Sequence, residues 1–193
     1  MFDNIPWETV VMAVAALGCY LLIRFMKNPK DDDSRAAKLM KKYATLTEEN
    51  LSATPDEELV EAVVSHVLSR AADAHRPDPA KELAALPQPF TVVYSIWAVC
   101  KELARGDYKA LTHTATRHVV DVAVDALPVV GATATAAALA ALRDAYADKQ
   151  DAEEAEKAFH RAVESECPLT LCAGYIRDHI PQLLGEEIAD EEA

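Results

Sequence analysis

From Val10 to Ile23 fourteen residues pass without a charge, V-V-M-A-V-A-A-L-G-C-Y-L-L-I. Trp7, Phe25 and Met26 extend that apolar character to about the 20 residues a helix needs to cross a bilayer. A cleaved signal peptide wants a basic stretch before the run and a small-residue site after it, whereas here Asp3 and Glu8 precede it and Arg24-Phe25-Met26-Lys27 ends it. Trp7 falls where an aromatic belt would lie, and a long Arg24 side chain reaches an interface. The sequence therefore predicts a single-pass membrane anchor over residues 1–27. Lys and Arg are absent before the run and follow it at positions 24, 27, 30, 35, 38, 41 and 42, which predicts a membrane localisation with the C-terminal domain cytoplasmic.

Beyond the anchor, Asn28-Pro29-Lys30 breaks the helix and opens a basic linker over residues 28–44, with a short helix from about Arg35 to Tyr43 capped by Ser34. About 150 residues then remain, enough for one domain with a real core. Past residue 30 the chain holds 16 basic and 30 acidic residues, and the whole chain carries a net charge of −13. Such acidity opposes direct nucleic-acid binding and suits solubility or a basic protein partner. Five glycines in 193 residues, with many Ala, Leu and Glu, favour helix over sheet.

The domain over residues 45–184 reads as a succession of helices. Thr54-Pro55-Asp56-Glu57 has the form of a capping box with Pro at the first helical position. Leu59, Val60, Val63, Val64, Val67, Leu68 and Ala71 then recur at three- and four-residue spacing, the mark of one buried face. Phe90 to Leu103 is apolar on nearly every side and predicts the central helix of a bundle. Further helices are expected from about Leu111 to Leu127, ending at a Pro128–Gly131 turn, and from Thr133 to Ala147. Another is capped by Asp151 with a narrow Ala155, Ala158, Phe159, Ala162 stripe, and a last one runs from Pro168 to about Leu184, broken at Pro181. The fold class is all-α: one transmembrane helix followed by a compact bundle of about six helices, with an acidic tail over residues 185–193.

Several positions carry this order: Leu86-Pro87-Gln88-Pro89-Phe90-Thr91-Val92-Val93-Tyr94-Ser95-Ile96-Trp97, Gly106-Asp107-Tyr108, Gly131-Ala132, and Gly174-Tyr175-Ile176-Arg177-Asp178-His179. The opening Thr47-Glu48-Glu49-Asn50-Leu51 and Pro55-Asp56-Glu57-Glu58-Leu59 joins them. Together they resemble the helical family named after DNA mimic protein 19, over roughly residues 45–184. Where that family has an Asn-Gly-Gly-Phe run, this chain keeps Gly106 and the aromatic Tyr108. The resemblance implies an all-α domain whose acidic surface, in the founding member, imitates duplex DNA and occupies the DNA site of a transcription factor.

Carboxylates on rigid helices substitute for regularly spaced phosphates when a partner offers Lys and Arg. The candidate partner-binding residues are Glu48, Glu49, Asp56, Glu57, Glu58 and Glu61 on one segment, and Asp144, Asp148, Asp151, Glu153, Glu154 and Glu156 on another. The bland alternative is that acidic residues gather at helix N-termini because the macrodipole favours them there. The expected function is an interaction module that binds a basic protein partner, such as a DNA-binding protein, with no cofactor and no catalytic residue. The competing expectation is an enzyme or metal-binding domain using His, Cys and carboxylate side chains between helices. His160, Cys167, Cys172 and His179 have a symmetric spacing, and His118 and Asp121, near His113 and Arg117, share a helix face. No phosphate loop, His-Glu-x-x-His helix or Gly-x-Ser-x-Gly elbow is present.

Overall fold

Helices dominate because the apolar positions repeat at helical spacing and glycine is scarce. The computed structural model describes residues 32–73, 85–104, 106, 108–111, 114–149 and 151–185. Among the described residues the elements are α1 (Asp32–Lys42), α2 (Glu48–Ala53), α3 (Asp56–Asp73), α4 (Gln88–Ala104), a 3-10 turn (Tyr108–Leu111), α5 (Thr114–Val129), α6 (Thr133–Ala147), α7 (Glu153–Glu166), α8 (Pro168–Asp178) and α9 (Ile180–Leu183). The all-α expectation holds. The helix number exceeds about six because α1, α2 and α9 are short additions around the longer helices.

The central position of α4 follows from its sequence. Every residue from Val92 to Cys100 is buried, and α3, α5 and α8 pack around it. The hydroxyl of Tyr94 and Nε1 of Trp97 are buried there without a hydrogen-bond partner among the described residues. Each such group costs about 1–3 kcal/mol, offset by the large area that two rings remove from water. Helix α6 then packs on α5 and on α7, so α6 and α7 form an outer hairpin.

The single-pass membrane localisation with a cytoplasmic C-terminal domain is corrected here: among the described residues no helix is long and apolar enough to cross a membrane. The 18-residue α3 carries Asp56, Glu57, Glu58, Glu61, Arg70 and Asp73. The 17-residue α4 rises about 25 Å, short of a hydrocarbon core of about 30 Å, and its apolar surface is spent inside the bundle. The Trp7–Met26 stretch on which the expectation rested, and the acidic tail past residue 185, lie outside the described residues.

Local chemistry shifts several boundaries. The capping box forms at Thr47 and Asn50, each side chain accepting from the other's backbone N–H at 3.2 and 3.0 Å. It does not form at Thr54, whose hydroxyl donates to the Asn50 carbonyl at 2.6 Å and lies 3.0 Å from the Tyr43 hydroxyl. Helix α5 runs through Pro128 to Val129 rather than stopping before it. It ends when Gly131, at φ 90°, donates to the Pro128 carbonyl and Ala132 to the Leu127 carbonyl, a paired closure that needs a left-handed residue. The last helix breaks at His179, two residues before Pro181.

Helix α6 has no capping side chain of its own at Ala132. Instead Glu166, the last residue of α7, accepts from the Ala134 and Thr135 backbone N–H groups at 2.9 and 2.7 Å and from the Thr135 hydroxyl at 2.7 Å. Desolvation pushes this carboxyl up, but the Thr135 and Ala134 bonds outweigh it and hold it below its ordinary value of 4.5. A carboxylate at a helix N-terminus also gains from the macrodipole. Glu166→Ala is expected to cost about 1–2 kcal/mol in urea unfolding near pH 7. Because the folded-state value is lowered, the contribution is present above 4.5 and fades as pH falls through the folded value. The Glu166→Gln variant should therefore show a flatter loss of stability on acidification than the parent.

Candidate functional site

The two acidic segments come to lie on different parts of the bundle. Glu48 to Glu61 sits on α2 and α3, beside α1, α4 and α8, whereas Asp144 to Glu156 occupies the turn joining α6 to α7.

In the first segment the fold ties three of the six carboxylates, Asp56, Glu58 and Glu61, to cations of other helices. Asp56 accepts from Arg177 of α8 at 2.8 Å. Glu58 pairs with Lys42 at 2.6 Å and accepts from the buried Tyr43 hydroxyl at 2.5 Å. The Lys42 and Tyr43 bonds hold the Glu58 carboxyl below the usual range. Glu61 lies 2.7 Å from Arg35 and 3.6 Å from Lys101. Glu48, Glu49 and Glu57 remain exposed at the first turns of α2 and α3, where the macrodipole alone accounts for them.

The second segment is more open. Asp144, Asp148, Asp151, Glu153 and Glu154 are all exposed. Asp144 lies 2.9 Å from Arg143, which also pairs with Asp121 at 2.8 Å. Glu153 and Glu154 share one cation, Lys157, at 2.7 and 3.1 Å. Asp151 accepts from the Glu153 backbone N–H at 3.1 Å, starting α7 as a capping residue. From Asp144 to Glu166 eight carboxylates face three cations. The hairpin is thereby a fixed, net negative edge held by the core beneath it.

Glu156 belongs to a cluster that sequence reasoning missed. It accepts from the Tyr146 hydroxyl at 2.5 Å. Tyr146 stacks on Tyr108 with centroids 5.8 Å apart, and the Tyr108 hydroxyl lies 2.6 Å from His160 Nε2. These residues are 52 positions apart along the chain at the Tyr108–His160 bond, so no local spacing announces them. Desolvation and the Glu156 charge raise both phenols, Tyr146 to about 12. A phenol so raised keeps its proton at neutral pH, which makes it a hydrogen-bonding bolt between the 3-10 turn, α6 and α7 rather than a nucleophile.

The four residues of the proposed metal spacing do not come together. His160 is held by Tyr108, and Cys167 is exposed with its thiol on the Glu164 carbonyl. Cys172 is buried, and His179 Nδ1 bonds the Tyr175 carbonyl at 2.8 Å. Among the described residues no group of three or more His, Cys, Asp or Glu is placed to hold a metal ion. Burial raises the Cys100 and Cys172 thiols to about 12, which leaves them protonated and unreactive. Asp121 is engaged by Arg143, while His113 and the side chains of Arg117 and His118 lie outside the described residues.

No family model matches the chain, and no curated protein or solved structure matches it. What the geometry defines, among the described residues, is an acidic all-α bundle whose α6–α7 hairpin carries exposed carboxylates.

Proposed function

We propose that this chain is an acidic helical interaction module that docks a basic protein surface through the α6–α7 hairpin. The observation that supports this is the difference between the two acidic segments. Asp56, Glu58 and Glu61 of the first are tied to Lys42, Arg35, Lys101 and Arg177 of other helices, whereas Asp144, Asp148, Asp151, Glu153 and Glu154 of the second are all exposed and, among the described residues, meet no cations but Arg143 and Lys157 of the hairpin's own helices. Helix α7 packs on α6, and α6 on α5, which holds those groups in register. A partner whose Lys and Arg bind phosphates exchanges its counterions for carboxylates held this way. The resemblance to the DNA mimic family makes DNA-binding proteins the first class of partner to test.

A competition assay tests it. Basic DNA-binding proteins are each preloaded with a short fluorescent duplex, and displacement by this chain is followed by anisotropy. Displacement is expected at low salt and should weaken at least about tenfold on raising the salt to near 0.3 M. The Asp148→Asn, Asp151→Asn, Glu153→Gln, Glu154→Gln combination should be at least about tenfold weaker again, since rim charges act together on encounter and affinity. A neutralised variant that competes as well as the parent removes the hairpin from the account.

A further inference from the structure

Helix α1 is joined to the bundle in an unusual way. Among its described side chains, Arg35 to Lys42, none is buried. Ala36, Leu39 and Met40 are only half-buried where it packs on α3, and the rest of its attachment lies in polar contacts to α3 and in the residue that follows it. Arg35, 65% exposed, reaches Glu61, and Lys42, 56% exposed, reaches Glu58. Tyr43 is fully buried, with its hydroxyl between Thr54 and Glu58, and His66 Nδ1 lies 3.2 and 3.0 Å from the Tyr43 and Ala44 carbonyls. Exposed ion pairs hold weakly and loosen with salt. A segment of this kind, with one buried anchor at its end, opens locally long before the core does.

The contacts also spell out what the face beneath α1 recognises. Glu58 and Glu61 stand three apart on one side of α3. Arg35 and Lys42 stand seven apart, two turns along one side of α1, followed directly by an aromatic hydroxyl. Arg35, Lys38, Lys41 and Lys42 make this a basic helix on an acidic face.

We infer that α1 is a basic strap that covers the Glu58–Glu61 face of α3 in cis and yields it to a basic amphipathic helix of a protein partner. The strap is an autoinhibitory contact: it neutralises the face until a helix of the same charge pattern competes for it. This face is separate from the α6–α7 hairpin, so the inference stands or falls independently of the function proposed above.

The probe is a fluorescent peptide with the sequence of residues 32–44, added to the full chain. Arg35→Ala with Lys42→Ala weakens the strap while leaving Tyr43 in place, and this variant is expected to bind the peptide about tenfold more tightly than the parent, as the cis competitor is lost. Adding Glu58→Gln and Glu61→Gln should return binding to the parental level or below. Peptide binding that is unchanged by loosening the strap, or unaffected by neutralising Glu58 and Glu61, overturns the inference. Hydrogen exchange on the unmodified chain gives a second reading that needs no variant. Amides of residues 36–42 are expected to exchange at least about 100-fold faster than those of residues 92–100 through local opening, and equal protection of the two segments would also overturn it.

Discussion

Phe159→Ala is expected to remove about 4 kcal/mol of stability, read as a lowered urea midpoint, because a buried phenyl ring leaves a cavity that its surroundings fill only in part. Phe159 is 1% exposed and is the buried side chain of α7. Ala155, Ala158 and Ala162, on the same stripe, are only partly covered. One ring therefore carries most of the apolar attachment of α7 to the core. Under the proposed function the same variant should also weaken displacement in the competition assay, since the carboxylates of the hairpin lose the support that fixes their spacing. Phe159→Leu keeps a large apolar group and should cost less than about 1.5 kcal/mol. A loss below about 1 kcal/mol for the alanine variant would show that α7 is held by its polar contacts, Glu166 and the Tyr146–Glu156 bond among them.

Arg177→Ala is expected to cost about 3 kcal/mol. Its guanidinium donates to the Leu51 carbonyl at 2.6 Å, to the Ser52 carbonyl at 3.2 Å and to the Thr54 carbonyl, and pairs with Asp56 at 2.8 Å. The last carbonyls of a six-residue helix such as α2 have no partner within it, and here a side chain more than 120 positions away supplies one. Charge-assisted bonds contribute about 1.5–3 kcal/mol each at most. The group is partly exposed, so water recovers some of them. Lysine presents a point charge and lacks the planar fork, so Arg177→Lys should recover less than half of the loss. Limited proteolysis supplies an independent readout: cleavage between residues 44 and 56 should accelerate in both variants. Unchanged cleavage there would mean that α2 is fixed by Leu51 and the Thr47 capping box instead.

Much of the bundle was legible because its causes are local or periodic. The Leu59 to Ala71 stripe became the buried face of α3, the charge-free Phe90–Cys100 run became the centre of α4, and Thr133–Ala147 became α6 with the same ends. Capping was harder to read. A threonine stands just ahead of a pair of acidic residues at both Thr47 and Thr54, the latter with Pro55 between, and which one caps depends on whether Tyr43 and the Asn50 carbonyl claim its hydroxyl. Of the candidate site residues, sequence could name every carboxylate but could not tell a free one from a paired one, because Asp56, Glu58 and Glu61 find their cations on other helices. Of the Tyr108, Tyr146, Glu156 and His160 cluster only Glu156 and His160, four apart on α7, share a helix face, and nothing in the sequence pairs them with Tyr108 and Tyr146 of other elements.

The sequence by itself determined that this protein is helical, acidic and built around the segment from Phe90 to Leu103, since periodicity, glycine scarcity and charge are properties of the chain before it folds. Only the tertiary structure decided which carboxylates face outward. Arg35, Lys42 and Arg177 reach the first acidic segment because α1 and α8 pack against it, while the carboxylates of the α6–α7 hairpin, among the described residues, meet no cations but Arg143 and Lys157 of the hairpin itself. Ion pairing is a matter of distance in space, and that distance is set by packing.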